Sequence, residues 1–211
     1  MKLEEELEHL NKMLLRMSDA VIENITEAIE YYLGKRKIPS INDDLIDNYE
    51  RLIEEICINI LLKERPYARD LKEVTGILKL VADVERIGDH AEDIYEFSKK
   101  LENYNEPRLG MVDKLSSYVV KMLNDSIYAY VNKNIALAQE VIASDDYVDN
   151  QYIESIESLA STSTQDKNYL PFAIYTTLVV KYLERIADHS VNIAEWVIYM
   201  VNGYHKDKKI F

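Results

Sequence analysis

The chain has 211 residues, 47% of them hydrophobic, enough to bury one large core or two small ones. Five glycines and four prolines are too few for the turns of a sandwich or barrel, so long helices are favoured. Thirty-eight acidic residues against 25 basic ones give a formal net charge of -13. Such a surface repels nucleic acid and anionic lipid and suits cationic partners, metal ions included.

Cys57 is the single cysteine, so an intrachain disulfide is impossible and a reducing cytoplasm is the expected home. The opening Met1-Lys2-Leu3-Glu4-Glu5-Glu6 is acidic where a signal peptide needs an apolar core. No stretch approaches the roughly 18 uninterrupted apolar residues of a membrane span. Even Ile193 to Val201 contains Glu195.

Leu3, Leu7, Leu10, Leu14, Met17, Val21, Ile25, Ala28 and Tyr32 recur every three or four residues and trace one face of a first helix. Gly34 follows it, where a left-handed conformation costs glycine little. A second helix starts near Asn42, and Pro66 marks its break from a third. That third helix has the cleanest stripe, from Ile77 through Leu80, Val84, Ile87, Ala91, Ile94 and Ser98 to Leu101. Residues 103–110, with Pro107, read as a linker. Leu115, Val119, Met122 and Ile127 form a fourth helix, and a fifth covers about Asp145 to Leu159. Thr162 and Gln165 have capping-box spacing and suggest the start of a sixth, striped from Val179 to Met200.

The two halves are related. Val84 to Phe97 aligns with Leu183 to Trp196, with seven of 14 pairs identical, and Asp43 to Asn48 aligns with Asp145 to Asn150. The offsets are 99 and 102 residues, so both elements keep their order and nearly their spacing. The expected architecture is all-α: two tandem pseudo-symmetric three-helix bundles, 1–106 and 107–211.

Residues four apart on a helix share a face. Asp43/Asp47, Glu85/Asp89, Asp145/Asp149 and Glu184/Asp188 therefore each present two carboxylates side by side, and Asp93 and Asn192 extend two of the rows by a turn. A bound cation would reverse the repulsion within each pair, and oxygen-only ligands suit hard cations such as Mg²⁺, Mn²⁺, Ca²⁺ or Fe³⁺. Against this, chance alone gives about seven such pairs at this composition, and a helical wheel sets Glu85, Asp89 and Asp93 well away from the apolar stripe, as a solvated face. What favours ligation is that the acids stay in register in both halves. His90 and His189, as i+1 neighbours of the acids, point about 100° away and suit helix packing.

Glu-Arg-Ile-Gly-Asp-His at 85–90 and Tyr-Leu-Glu-Arg-Ile-Ala-Asp-His-Ser-Val-Asn-Ile-Ala-Glu-Trp at 182–196 resemble the duplicated signature of the PhoU family of phosphate-uptake regulators. Pro66 to Lys72 and the acidic pairs upstream fit the same pattern, and the resemblance spans essentially the whole chain. It implies two three-helix bundles whose E/D-x-x-x-D motifs bind iron, or Mg, Mn or Zn in its place. By position the motif residues are Asp43, Asp47, Glu85, Asp89, Asp145, Asp149, Glu184 and Asp188. Asp93 stands where the family often has asparagine, and Ala187 where it usually has glycine. The resemblance also implies a non-enzymatic negative regulator of phosphate uptake and the starvation response. Its partners would be the ATPase subunit of the phosphate ABC transporter and a phosphate-sensing histidine kinase, with membrane contact only through them. A homodimer is a further expectation, from apolar stripes that a three-helix bundle leaves uncovered.

Two other functions compete with this one. A carboxylate-bridged metal enzyme or iron-handling bundle would need paired Glu-x-x-His motifs, and only Glu6/His9 has that spacing. The other is a metal-free helical scaffold whose acids serve solubility.

Overall fold

The computed structural model describes residues 2–35, 38–206 and 208–209. Seven α-helices account for nearly all of them: α1 Lys2–Tyr32, α2 Asp43–Lys63, α3 Arg69–Leu101, α4 Gly110–Asn132, α5 Ile135–Ala143, α6 Asp145–Gln165 and α7 Leu170–Asn202. A minimal antiparallel hairpin, Tyr204–His205 with Lys208–Lys209, ends the described chain. The His205 ring lies flat on Trp196, with centroids 3.8 Å apart, and so returns this hairpin to α7.

Local chemistry sets the helix ends. The backbone of Gly34 is left-handed at φ 71 just past α1. Asn42 caps α2, its side chain accepting from the Leu45 N–H at 3.1 Å, and Asn134 caps α5 in the same way. At the position equivalent to Asn42, Ser144 makes no side-chain cap on α6, so the two acidic helices begin differently. Arg108 fastens the connection between the halves, donating from Nε to the Tyr32 carbonyl at 3.0 Å and from Nη1 to that of Leu101.

α1, α2 and α3 pack together as one bundle, and α4, α6 and α7 as another with α5 against α4 and α7. The bundles join along α3 and α7. These run antiparallel, because Gly76 meets Met200 at one end while Phe97 stacks on Tyr182 further along. Every residue of the expected α3 stripe is buried, as is the α1 stripe from Leu10 to Tyr32. Each such aliphatic side chain contributes roughly 1.5–3 kcal/mol by burial, which is why three- and four-residue spacing decides the fold.

The second half departs from the sequence reading in two places. Six helices were expected and seven form: α5 lies between the fourth and the acidic helix, a nine-residue element with too short a stripe to stand out. Thr162 and Gln165 do not open a helix either; they belong to the last turn of α6. The Thr162 and Ser163 hydroxyls bond back to the carbonyls of Ser158 and Leu159, which satisfies them inside the helix. The actual punctuation is Asp166, whose side chain accepts from the Asn168 N–H at 2.9 Å in a short 3₁₀ turn, with Pro171 in the first turn of α7.

Candidate functional site

Folding brings the two acidic pairs of each half together. α2 supplies Asp43 and Asp47, α3 supplies Glu85 and Asp89, and the four face one another across the groove between the two helices. In the second half α6 supplies Asp145 and Asp149 and α7 supplies Glu184 and Asp188. Glu85 and Asp89 keep only 16% and 33% of their side-chain surface, so they are not the fully solvated face that α3 alone suggests. The neighbouring helix covers them.

The electrostatics match between halves. Burial, and then repulsion from Asp47 and Asp89, push the Asp43 carboxyl up to about 6. Asp145, its counterpart, is pushed to about 6 by burial and by Asp188 and Asp149. Glu85 and Glu184 are each raised to about 7, again by burial first and by neighbouring carboxylates second. Oδ1 of Asp43 and Oδ1 of Asp145 are both buried without a hydrogen-bond partner. The same oxygen is thus left without a protein donor in both repeats. Among the described residues, no three His, Cys, Asp or Glu side chains stand close enough to hold a metal ion as they are.

Arg86 partly offsets the first cluster, with Nη1 3.1 Å from Asp89 Oδ2 and Nε 3.6 Å from Glu85 Oε2. Glu50 and Glu92 also belong to it: Glu50 is raised by burial and then by Glu54, Asp47 and Asp89, and Glu92 acts on Asp43. Sequence reasoning missed both. Each sits seven residues beyond a predicted acid, on the same face, but the repeat places Tyr152 and Val191 at those positions and so hides them.

Asp93 and Asn192 lie elsewhere. Asp93 faces the Tyr182 hydroxyl and Arg185 on α7, with His90 Nδ1 3.6 Å away. Asn192 donates to Asp83 Oδ1 at 3.0 Å, the oxygen that His189 Nδ1 also meets. Both face the α3–α7 seam. His90 is buried there, 5.5 Å centroid to centroid from His189, and burial depresses its pKa to about 4, so it packs as a neutral ring. Buried Cys57, its thiol pushed up to about 12, has no role in the site.

Fold and site together define a duplicated helical-bundle protein with one partly buried carboxylate cluster per half. The PhoU domain model matches residues 14–98 and again 112–197, one copy per half. The chain belongs to the PhoU family. It is 33% identical to the "Phosphate-specific transport system accessory protein PhoU homolog" of Clostridium acetobutylicum, covering 97% of this chain and 96% of that one. The Aquifex aeolicus homolog is 36% identical over 96% and 94%. The crystal structure of PhoU from Pseudomonas aeruginosa superposes with a TM-score of 0.86 at 30% identity, covering 95% of this chain and 99% of that one.

Proposed function

We propose that this protein is a non-enzymatic, cytoplasmic negative regulator of phosphate uptake and of the phosphate-starvation response. It acts as an adaptor between the ATPase subunit of the phosphate ABC transporter and a phosphate-sensing histidine kinase. The observation that carries this reading is family membership over both halves, with relatives named as accessory proteins of the phosphate-specific transport system. Among the described residues no helix is long and apolar enough to cross a membrane.

The carboxylate clusters are the proposed cation sites. Asp43, Asp47, Glu85 and Asp89 would hold one group of ions and Asp145, Asp149, Glu184 and Asp188 the other, with Asp93 and Asn192 outside both. The donors are all oxygen, which fits iron, Mg or Mn, with borderline Zn in its place, and Asp43 and Asp145 each keep a buried oxygen unpaired. The cation would supply charge neutralisation and a rigid bridge between paired helices.

An affinity pull-down from phosphate-replete cells tests the adaptor. Recovery of the transporter ATPase or the kinase is the expected result. Recovery of neither at good expression, with phosphate uptake unchanged on deletion, sinks it.

A further inference from the structure

Glu195 on α7 keeps different company from its counterpart in the first half. At the repeat offset of 99 residues the equivalent acid is Glu96, half exposed and paired with Lys99 at 2.9 Å one turn along its own helix. Ile198 stands where that lysine would be, so Glu195 has no base one turn away on α7. It is also set deeper, with 16% of its side-chain surface left. Its basic neighbours among the described residues come from the hairpin after α7. His205 Nδ1 lies 3.6 Å and Lys206 Nζ 3.9 Å from Glu195 Oε2.

Glu195 Oε2 and His205 Nδ1 are both buried, and neither has a hydrogen-bond partner. Their separation exceeds the roughly 2.7–3.2 Å of an N–H···O bond. It does suit two ligands of one ion. A nitrogen and an oxygen each ~2.1 Å from zinc stand ~3.4 Å apart at the tetrahedral angle and ~3.6 Å apart at 120°. The plane of the His205 ring is fixed by Trp196, on which it lies at an interplanar angle of 11°. Lys206 is the weaker neighbour of Glu195, its side chain 61% exposed and free to turn to solvent. Beside the pair is a cavity of about 450 Å³, lined by the carboxamides of Gln139 and Asn202 and floored by Ile142 and Ile198. It has room for several waters.

We propose that Glu195 Oε2 and His205 Nδ1 bind a borderline divalent cation of the Zn²⁺, Co²⁺ or Ni²⁺ class, with water in the cavity completing its coordination. An imidazole beside a carboxylate selects this class over Mg²⁺, which separates the site from the all-oxygen clusters of α2, α3, α6 and α7. The chain's net charge of -13 favours the uncompensated positive charge that one carboxylate leaves on the ion. The bound cation ties the hairpin to α7, because one ligand comes from each. Neither the adaptor reading nor occupancy of the carboxylate clusters is needed for this site.

Trp196, the single tryptophan of the chain, reports on the site directly, since its ring stacks on that of His205 with centroids 3.8 Å apart. Paramagnetic Ni²⁺ titrated into the full-length protein at about pH 7.5, where imidazole is neutral enough to ligate, is expected to quench its fluorescence at least ~twofold. Zn²⁺, which does not quench, restores the emission by displacing Ni²⁺, and Mg²⁺ does not. His205→Gln and Glu195→Gln each weaken Ni²⁺ binding at least ~tenfold with the circular dichroism unchanged, since each removes one of two protein donors. Glu85→Gln with Glu184→Gln leaves it within ~twofold, because those acids belong to the other sites. Absence of quenching at millimolar Ni²⁺, displacement by Mg²⁺ as readily as by Zn²⁺, or quenching indifferent to His205→Gln overturns the proposal. So does quenching lost with His205→Gln but kept with Glu195→Gln, which marks an adventitious ion on a lone imidazole.

Discussion

His189 on α7 donates from Nδ1 to Asp83 on α3 at 2.8 Å, so one buried-edge carboxylate ties the two halves of the molecule together. Asn192 donates to the same oxygen at 3.0 Å. Asp83 keeps 14% of its side-chain surface and His189 23%, so water replaces these bonds poorly. Asp83→Ala leaves two donors without an acceptor at the seam and is expected to destabilise the protein by about 1.5–3 kcal/mol. Asp83→Asn, which keeps an acceptor oxygen, costs less. Urea denaturation of the two variants checks this, and equal stability of wild type and Asp83→Ala contradicts it.

Helix packing beneath the first acidic cluster depends on a missing side chain. A Cβ at Gly88 would stand 2.9 Å from Ile46 Cδ1 and 3.2 Å from its Cγ2, and Ile46 is fully buried. Gly88→Ala gains about 1 kcal/mol of helix propensity but overpacks the α2–α3 contact, for a net loss of about 1–2 kcal/mol. Ile46→Val removes the nearer atom. The double variant should then be more stable than the sum of the single changes implies, a coupling that a double-mutant cycle measures directly.

The raised carboxyls set a pH dependence with a definite sign. In the folded protein Asp43 and Asp145 are held at about 6 against an ordinary 3.8, and Glu85 and Glu184 at about 7 against 4.5. Between those limits the folded chain binds more protons than the unfolded one, so stability is present below the ordinary values and is lost as pH rises through 6 to 7. His90, depressed from 6.5 to about 4, acts in the opposite direction, but it is one group against four. With chelator present, the melting temperature should be higher at about pH 5 than at about pH 8. The reverse order would show that the acids are not crowded as described.

The parts of this molecule legible in its sequence are those set by periodicity and duplication. The α3 stripe, the glycine after α1 and the acidic repeats could be read because a single helix or a pair of matching segments holds the information. The misread start of α7 came from hydroxyls that serve equally well as caps and as bonds to carbonyls four residues back, a choice that Thr162 cannot announce. The partial burial of Glu85 was hidden for another reason. A helical wheel knows only its own core, and α2 covers a face that the α3 stripe leaves outside. Glu50 and Glu92 were lost to the repeat criterion itself, since the second half has no acids there.

The clusters also predict how a cation should alter stability. Within each cluster the acids repel one another and one buried oxygen goes unpaired, so the metal-free protein carries an unfavourable interaction that a bound cation would remove. Mn²⁺ added near neutral pH should raise the melting temperature in proportion to the logarithm of its concentration above Kd. Glu85→Gln with Glu184→Gln removes one charge from each cluster, and two opposite effects follow. The metal-free double variant should melt at a higher temperature than wild type, because burying a neutral amide among carboxylates costs less than burying another anion. The cation-induced rise should shrink, because each site has lost a ligand charge. Thermal melts of both proteins with and without metal separate this from a merely solvated acidic face, for which the double substitution changes neither quantity.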